Sequence, residues 1–441
     1  MDAPAQTVQT NAKCQRPRWK IATRVAFRLC FVYFGLLGLT TQIFGGLIPI
    51  PNVDIPDPGT LTPIRQIIFW TARQVFHVAH PLVYTDSGSG DKTFDWVESF
   101  CFLIIALVVT AVWSILDRKR AEYVTLHKWF RLFIRFALAS EMILYGMAKV
   151  VPTQMSFPHL ATLLEPYGNF SRMAVLWSSI GSSPAYEIFG GCAEMLGGLL
   201  LILPRTTMLG ALVCLADLTQ VFSLNMTYDV PVKLFSFQLL LMAVFLLAPE
   251  IPRMANFFLL HRPAELSTQP PLFYGRRASG IALAAQITFG ILLVAANAYT
   301  GLTNWRTYGG GSPKSPLYGI WNVEQISIDG QTRSPLLTDY DRWRRIVFDF
   351  PQNMIFQRMD DSFTYFSSSI DVNSRTIAVT KGSDKNWKGA LTFLRPAPDQ
   401  LTLDGTMDNH KVHMQLQLVD RSKFMLVSRG FHWIQEYPYN R

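Results

Sequence analysis

The sequence predicts a multi-pass α-helical membrane bundle of about seven spans, followed by an external antiparallel β-barrel domain. Three observations carry this. Charged residues are 40 of 300 before position 301, or 13%, but 31 of 141 after it, or 22%. A soluble domain carries about 25% charge, so only the second part has a soluble composition. Seven apolar stretches in the first part approach the roughly 20 residues needed to cross a bilayer: 25–48, 97–116, 130–150, 184–203, 206–224, 231–248 and 279–299. After residue 319 the apolar period changes to two, the signature of strands.

Lys13, Arg16, Arg18, Lys20 and Arg24 precede the run from Val25 to Ile48. That run is too long for a signal peptide core and lacks a small-residue cleavage site, so it reads as an uncleaved anchor behind a cytoplasmic basic tail, 1–24. Residues 25–129 hold two spans and an external amphipathic segment. In that segment Ile64, Ile67, Ile68, Ala72, Val75, Phe76 and Ala79 follow the helical template, with Arg65, Arg73, Gln74 and His77 opposite. This predicts a helix lying in the outer interface. His77 and His80 have metal-ligand spacing but no third ligand nearby, so the interfacial reading is preferred and no metal is expected. A second short helix is expected within 158–180.

Lys and Arg flank the spans in the order that fixes topology. Arg118, Lys119, Arg120 and Lys128, Arg205, then Arg253, Arg262, Arg276 and Arg277 mark inner connections. Segments 49–96, 151–183, 225–230 and everything after 300 fall outside. The protein is therefore expected in a cytoplasmic (inner) membrane, N-terminus inside and C-terminal domain periplasmic. The net charge of +9 arises from these flanks, and no nucleic-acid module is visible. The five cysteines, Cys14, Cys30, Cys101, Cys192 and Cys214, show no C-x-x-C spacing. Most sit in apolar runs and read as small hydrophobes.

An ionisable group at the bilayer centre costs at least about 2.5–3.5 kcal/mol and needs a reason. The third span carries Arg135, Glu141, Tyr145 and Lys149, the last three spaced by four along one side. The fourth carries Glu187 and Glu194, the fifth Asp217, and Lys233 opens the sixth. One reading is a polar pocket in a four-helix core. The other is buried pairing, such as Glu194 with Lys149, that only fixes helix register. The small-residue run Gly190-Gly191-Cys192-Ala193 and Gly197-Gly198 reads as close helix packing.

The run Arg135 … Gly146-Met147-Ala148-Lys149, and the run Ala193-Glu194-Met195-Leu196-Gly197-Gly198-Leu199-Leu200-Leu201 followed by Arg205, resemble core helices of the DoxX-like membrane proteins. The resemblance covers about 130–250, a four-helix core; the cytoplasmic loop and last span, 251–300, the two spans before the core and the external domain lie outside it. It implies a quinone-linked redox component or oxidoreductase subunit working with a redox partner protein in the lipid bilayer. Glu141, Lys149, Glu194 and Asp217 are the candidate catalytic groups, with Arg135, Tyr145 and Glu187 as ligand contacts. The sequence holds no haem, iron–sulfur or nucleotide motif, so for the redox chemistry that the resemblance implies the electron carrier would be a bound quinone or a partner.

Residues 301–318 read as a Gly/Pro linker and 319–441 as the barrel domain. Val412, Met414, Leu416 and Leu418 alternate with His413, Gln415 and Gln417. Further strands are expected at 320–328, 343–350, 354–359, 363–370, 376–381, 389–394, 401–403 and 424–428. Turns are expected at Asp329-Gly330, Gly382-Ser383-Asp384 and Asp404-Gly405. Gly319-Ile320-Trp321 resembles the opening of lipocalin-like barrels, which implies that Arg429 stacks on Trp321. Such a barrel could be filled or hold a small apolar ligand. The alternative function is thus a non-enzymatic envelope protein that hands over a lipophilic ligand through the barrel, with Trp321 and Arg429 as contacts.

Overall fold

A computed structural model describes residues 19–263, 269–382 and 384–440. Lys13, Cys14, Arg16, Arg18 and Ser383 lie outside the described residues. All seven apolar stretches are helical. The helices are α1 (Ile21–Thr40), α2 (Gln42–Gly46), α3 (Ile64–Gln74), α4 (Thr93–Leu116), α5 (Val124–Val150), α6 (Arg172–Gly181), α7 (Pro184–Ile202), α8 (Thr207–Thr227), α9 (Lys233–Leu247), α10 (Ile251–Phe258) and α11 (Arg276–Thr307). Among the described residues six helices are long and apolar enough to cross a membrane: α1, α4, α7, α8, α9 running on through α10, and α11.

Of the seven expected spans, the one outside that set is α5. It carries Lys128, Arg131, Arg135, Glu141 and Lys149, too many charges for a lipid-facing span. Its surroundings explain how it tolerates them: every residue from Phe136 to Ile143 is buried, on all sides of the helix. A helix buried all round is enclosed by its neighbours. By contrast, only 17% of the α4 span and 11% of the α11 span are buried, so these form the perimeter. The small residues of α7 work as expected. A Cβ on Gly198 would stand 3.1 Å from the Ala139 carbonyl of α5, and one on Gly197 would stand 2.7 Å from Cys214 Sγ of α8.

Helix α3, the amphipathic helix expected in the outer segment, buries Ile68 and Ala72 against Phe94 and Val97 of α4. Ile67 and Trp70 stay exposed, at 56% and 62%, the apolar face expected at a lipid interface. It ends sooner than its periodicity suggests, and His77 beyond it is left-handed with φ 52°.

The chain folds as two compact units, Met1–Met147 with Cys192–Tyr299, and Ala148–Gly191 with Thr300–Arg441. In the second, α11 continues to Thr307, so 301–307 are helix where a linker was expected. The strands are β1 (Gly319–Ile328), β2 (Gln331–Thr332), β3 (Trp343–Phe348), β4 (Asn353–Arg358), β5 (Phe363–Asp371), β6 (Thr376–Lys381), β7 (Asp384–Ala397), β8 (Gln400–Met407) and β9 (His410–Leu418). Each pairs antiparallel with the next along the wall, β1 with β3 and so on to β9, and β9 returns to β1, while β2 only extends the β1 hairpin. The result is a closed eight-stranded barrel. Its interior is filled. Trp321, Phe348, Phe356 and Met414 are each 0% exposed, and Trp343 stacks on Phe356 at 4.1 Å.

Three expectations are corrected here. Residues 424–428 are not a strand: Asp420 accepts the Ser422 N–H at 2.9 Å, opening a 3-10 turn that leads into α12 (Met425–Ser428). The β9–β1 pairing already closes the barrel, so no edge is left for another strand. Asp404-Gly405 is not a turn but lies within β8; the turn falls at Asp408 and Asn409, with φ 50° and 67°. Arg429 does not stack on Trp321. It lies over Tyr439 at 4.2 Å, after the chain has left the barrel wall. Arg395, near the end of β7, stands over Trp321 at 5.6 Å instead, and the Trp321 indole donates to the Leu317 carbonyl at 2.9 Å.

Segment 151–183 belongs to the barrel's unit and packs on its outer wall. Leu160 meets Ile320, Val347 and Ile355, which alternate with the inward residues of β1, β3 and β4. Asp349 Oδ2 accepts the Leu160 N–H at 2.9 Å. Leu160 is 2% exposed. Leu160→Ala is therefore expected to cost about 2–5 kcal/mol and to open 151–183 to limited proteolysis. Wild-type protease resistance in that variant would refute the docking.

Candidate functional site

The first span is broken where a site can form. The Thr40 and Thr41 hydroxyls donate back to the Leu36 and Leu37 carbonyls at 2.9 and 2.6 Å. Such bonds compete with the helical ladder and bend helices. Thr41 is extended, with φ −103° and ψ −177°, and α2 restarts at Gln42. Gln42 Nε2 then donates to Glu141 Oε2 and to the Tyr145 hydroxyl, each at 3.0 Å. Glu141 and Tyr145 are one turn apart on α5, so a single amide spans both. Glu141 is 0% exposed. Its Oε1 has no hydrogen-bond partner among the described residues. It faces Gly46, where a Cβ would come within 2.7 Å.

A second buried carboxyl lies in the same unit. Glu98 of α4 is 7% exposed, and its Oε1 likewise has no partner among the described residues. It sits beneath Gly59, where a Cβ would be 2.0 Å from it and 3.0 Å from the Thr40 carbonyl. Asp57 lies in electrostatic reach of both Glu98 and Glu141. Burial pushes the Asp57 carboxyl up to about 6, with Lys92 opposing and Asp95, Asp54 and Asp86 reinforcing. Because the folded value lies above the ordinary 3.8, the stability this group contributes is present below 3.8 and lost as pH rises through about 6. Asp57→Asn should therefore melt with the wild type below that ordinary value and above it once pH exceeds the folded one. A thermal melt series across pH checks this, and equal melting temperatures throughout would refute it.

The other predicted residues fall in several places. Glu194, 5% exposed, lies within electrostatic reach of Tyr145 and joins the Glu141 group. Glu187, 1% exposed, accepts the Met155 N–H at 2.9 Å and feels the Lys149 charge. Glu187 and Lys149 belong to the second unit. Asp217 is felt by Cys214, one turn away on α8. Arg135 does not join the carboxylates. It donates to the Ile202 carbonyl at 3.2 Å and to the Gln286 side chain, tying α5 to the end of α7 and to α11. Its position six residues before Glu141 turns it to a different side of the helix. Trp321 is barrel core and Arg429 lies in the C-terminal segment.

The sequence reading missed Gln42, Asp57 and Glu98. Gln42 is 99 residues from Glu141, and nothing local announces that pairing. The polar triplet Thr40-Thr41-Gln42 inside an apolar run was the available signal. It also missed Arg28, 3% exposed, which donates to Ser114 Oγ at 2.7 Å and to the Tyr123 hydroxyl at 3.0 Å.

No family model matches the chain, and no solved structure matches it. It is 33% identical over 118 residues to a Bacillus subtilis (strain 168) protein named Uncharacterized protein YwoB. The match spans 27% of this chain and 72% of the relative. That identity over that share of the relative places the chain in the family of YwoB.

Proposed function

We propose that the protein is a quinone-linked redox component of the cytoplasmic membrane, with a DoxX-like core, in which Glu141 and Tyr145 exchange protons with a quinone head group. The observation that carries the reading is the Gln42 amide, which holds the Glu141 carboxyl and the Tyr145 hydroxyl at 3.0 Å each inside the helical unit. A quinone takes up two electrons and two protons on reduction. The electrons would come from a partner protein, and Glu141 and Tyr145 are the proton donors within reach. Phe235, whose ring lies 6.4 Å from that of Tyr145, belongs to the apolar wall that would meet the rest of the molecule. The contact of segment 151–183 with the barrel supports setting both on one side of the membrane, which the charge pattern assigns to the outside. The filled barrel interior gives less support to a lipophilic carrier. Mass spectrometry of small molecules that co-purify with the detergent-solubilised protein tests the reading. Wild type should retain a stoichiometric quinone, and Gln42→Leu with Tyr145→Phe should lose it. A wild-type preparation that neither retains nor rebinds quinone would sink the proposal.

A further inference from the structure

We propose that Asp57 passes protons between outer solvent and the two buried glutamates, Glu98 and Glu141, so that segment 41–60 acts as a proton-conducting lid. This deepens the reading above and rests on Glu141 as the group that turns over protons. Two different helices, α4 and α5, each bury one glutamate with one oxygen lacking a partner among the described residues. Each of those oxygens faces a glycine of the same connecting segment, Gly59 or Gly46, so close that a Cβ there would have to displace the carboxyl. The segment thus covers both carboxyls and brings Asp57 within electrostatic reach of both.

Asp57 is half-buried, and Asp54 beside it is exposed, so the outer end of the path is open. The charged groups around Asp57 are Lys92 and Asp95 at the start of α4, Asp54 and Asp86 in the connections, and the two glutamates themselves. Lys92 is engaged by Asp95 at 3.7 Å and by the Thr85 carbonyl at 3.2 Å, which leaves Asp57 in a mainly acidic surround. A carboxyl with a value of about 6 binds and releases a proton readily near neutral pH. The step moves only a proton: protonated Asp57 gives it to an ionised glutamate and takes another from solvent.

Infrared spectroscopy of the full-length protein in detergent, transferred to deuterated buffer without added quinone, tests this. The carboxylic C=O bands are assigned with Glu98→Gln and Glu141→Gln. Asp57→Asn should slow deuteration of both bands by about a hundredfold, while Asp57→Glu stays near the wild-type rate. Asp54→Asn should leave both rates unchanged. Absence of a carboxylic band from either glutamate, unchanged rates in Asp57→Asn, or equal slowing in Asp54→Asn would overturn the proposal. Asp57→Glu tracking Asp57→Asn would do the same. Because exchange of these protons needs no electron transfer to a quinone, loss of the quinone reading would leave this result standing.

Discussion

Gly405→Ala is expected to destabilise the barrel strongly. Gly405 lies in mid-strand on β8, opposite Leu391 of β7 and Val412 of β9. Its φ is +157°, where an L side chain is strained. A Cβ there would stand 2.1 Å from the Ala390 carbonyl oxygen and 2.8 Å from Leu391 Cα. Both are backbone atoms of a strand paired on both sides, so neither can rotate away. The dihedral costs about 1–3 kcal/mol, and forcing the strands apart costs about another 1–3 kcal/mol. Domains are stable by only about 5–15 kcal/mol, so the sum is a large fraction of the total. Thermal unfolding followed by tryptophan fluorescence, with Trp321, Trp343 and Trp387 in or against the barrel core, should show its transition at a much lower temperature. A variant that melts with the wild type would show that β8 can shift its register.

If the proposed function holds, Glu141→Gln should cut quinone turnover by orders of magnitude while leaving the fold intact. Glutamine keeps the volume and can still pair with Gln42, but it holds no exchangeable acid proton. Proton transfer by a placed group contributes about 10²–10⁴-fold, so turnover in reconstituted membranes should fall by that order with quinone still retained. Asp217→Asn, a variant on α8, should fall less, because Gln42 bridges only Glu141 and Tyr145. Full activity in Glu141→Gln would remove Glu141 from the reaction.

Much of the architecture was legible because hydropathy and periodicity are local. Most apolar stretches became helices within a few residues of their expected ends, though the first breaks at Thr41 and the last runs on to Thr307, and β9 follows the alternation of Val412, Met414 and Leu416. Local signals failed where neighbours decide. Asp404-Gly405 has turn chemistry, yet β7 and β9 hold it in a strand. Residues 424–428 have strand composition, yet a closed barrel offers them no edge.

The sequence by itself determined where the chain enters lipid and where it becomes a barrel, since burial of apolar surface depends on composition within one element. Only the tertiary structure decided which polar groups meet. It joined Gln42 to Glu141, sent Arg135 to Ile202 and Gln286, put Arg395 rather than Arg429 over Trp321, and set Leu160 on the barrel wall. Each of these contacts joins residues far apart in the chain. A buried polar group must find a partner, and which partner it finds is set by how whole elements pack.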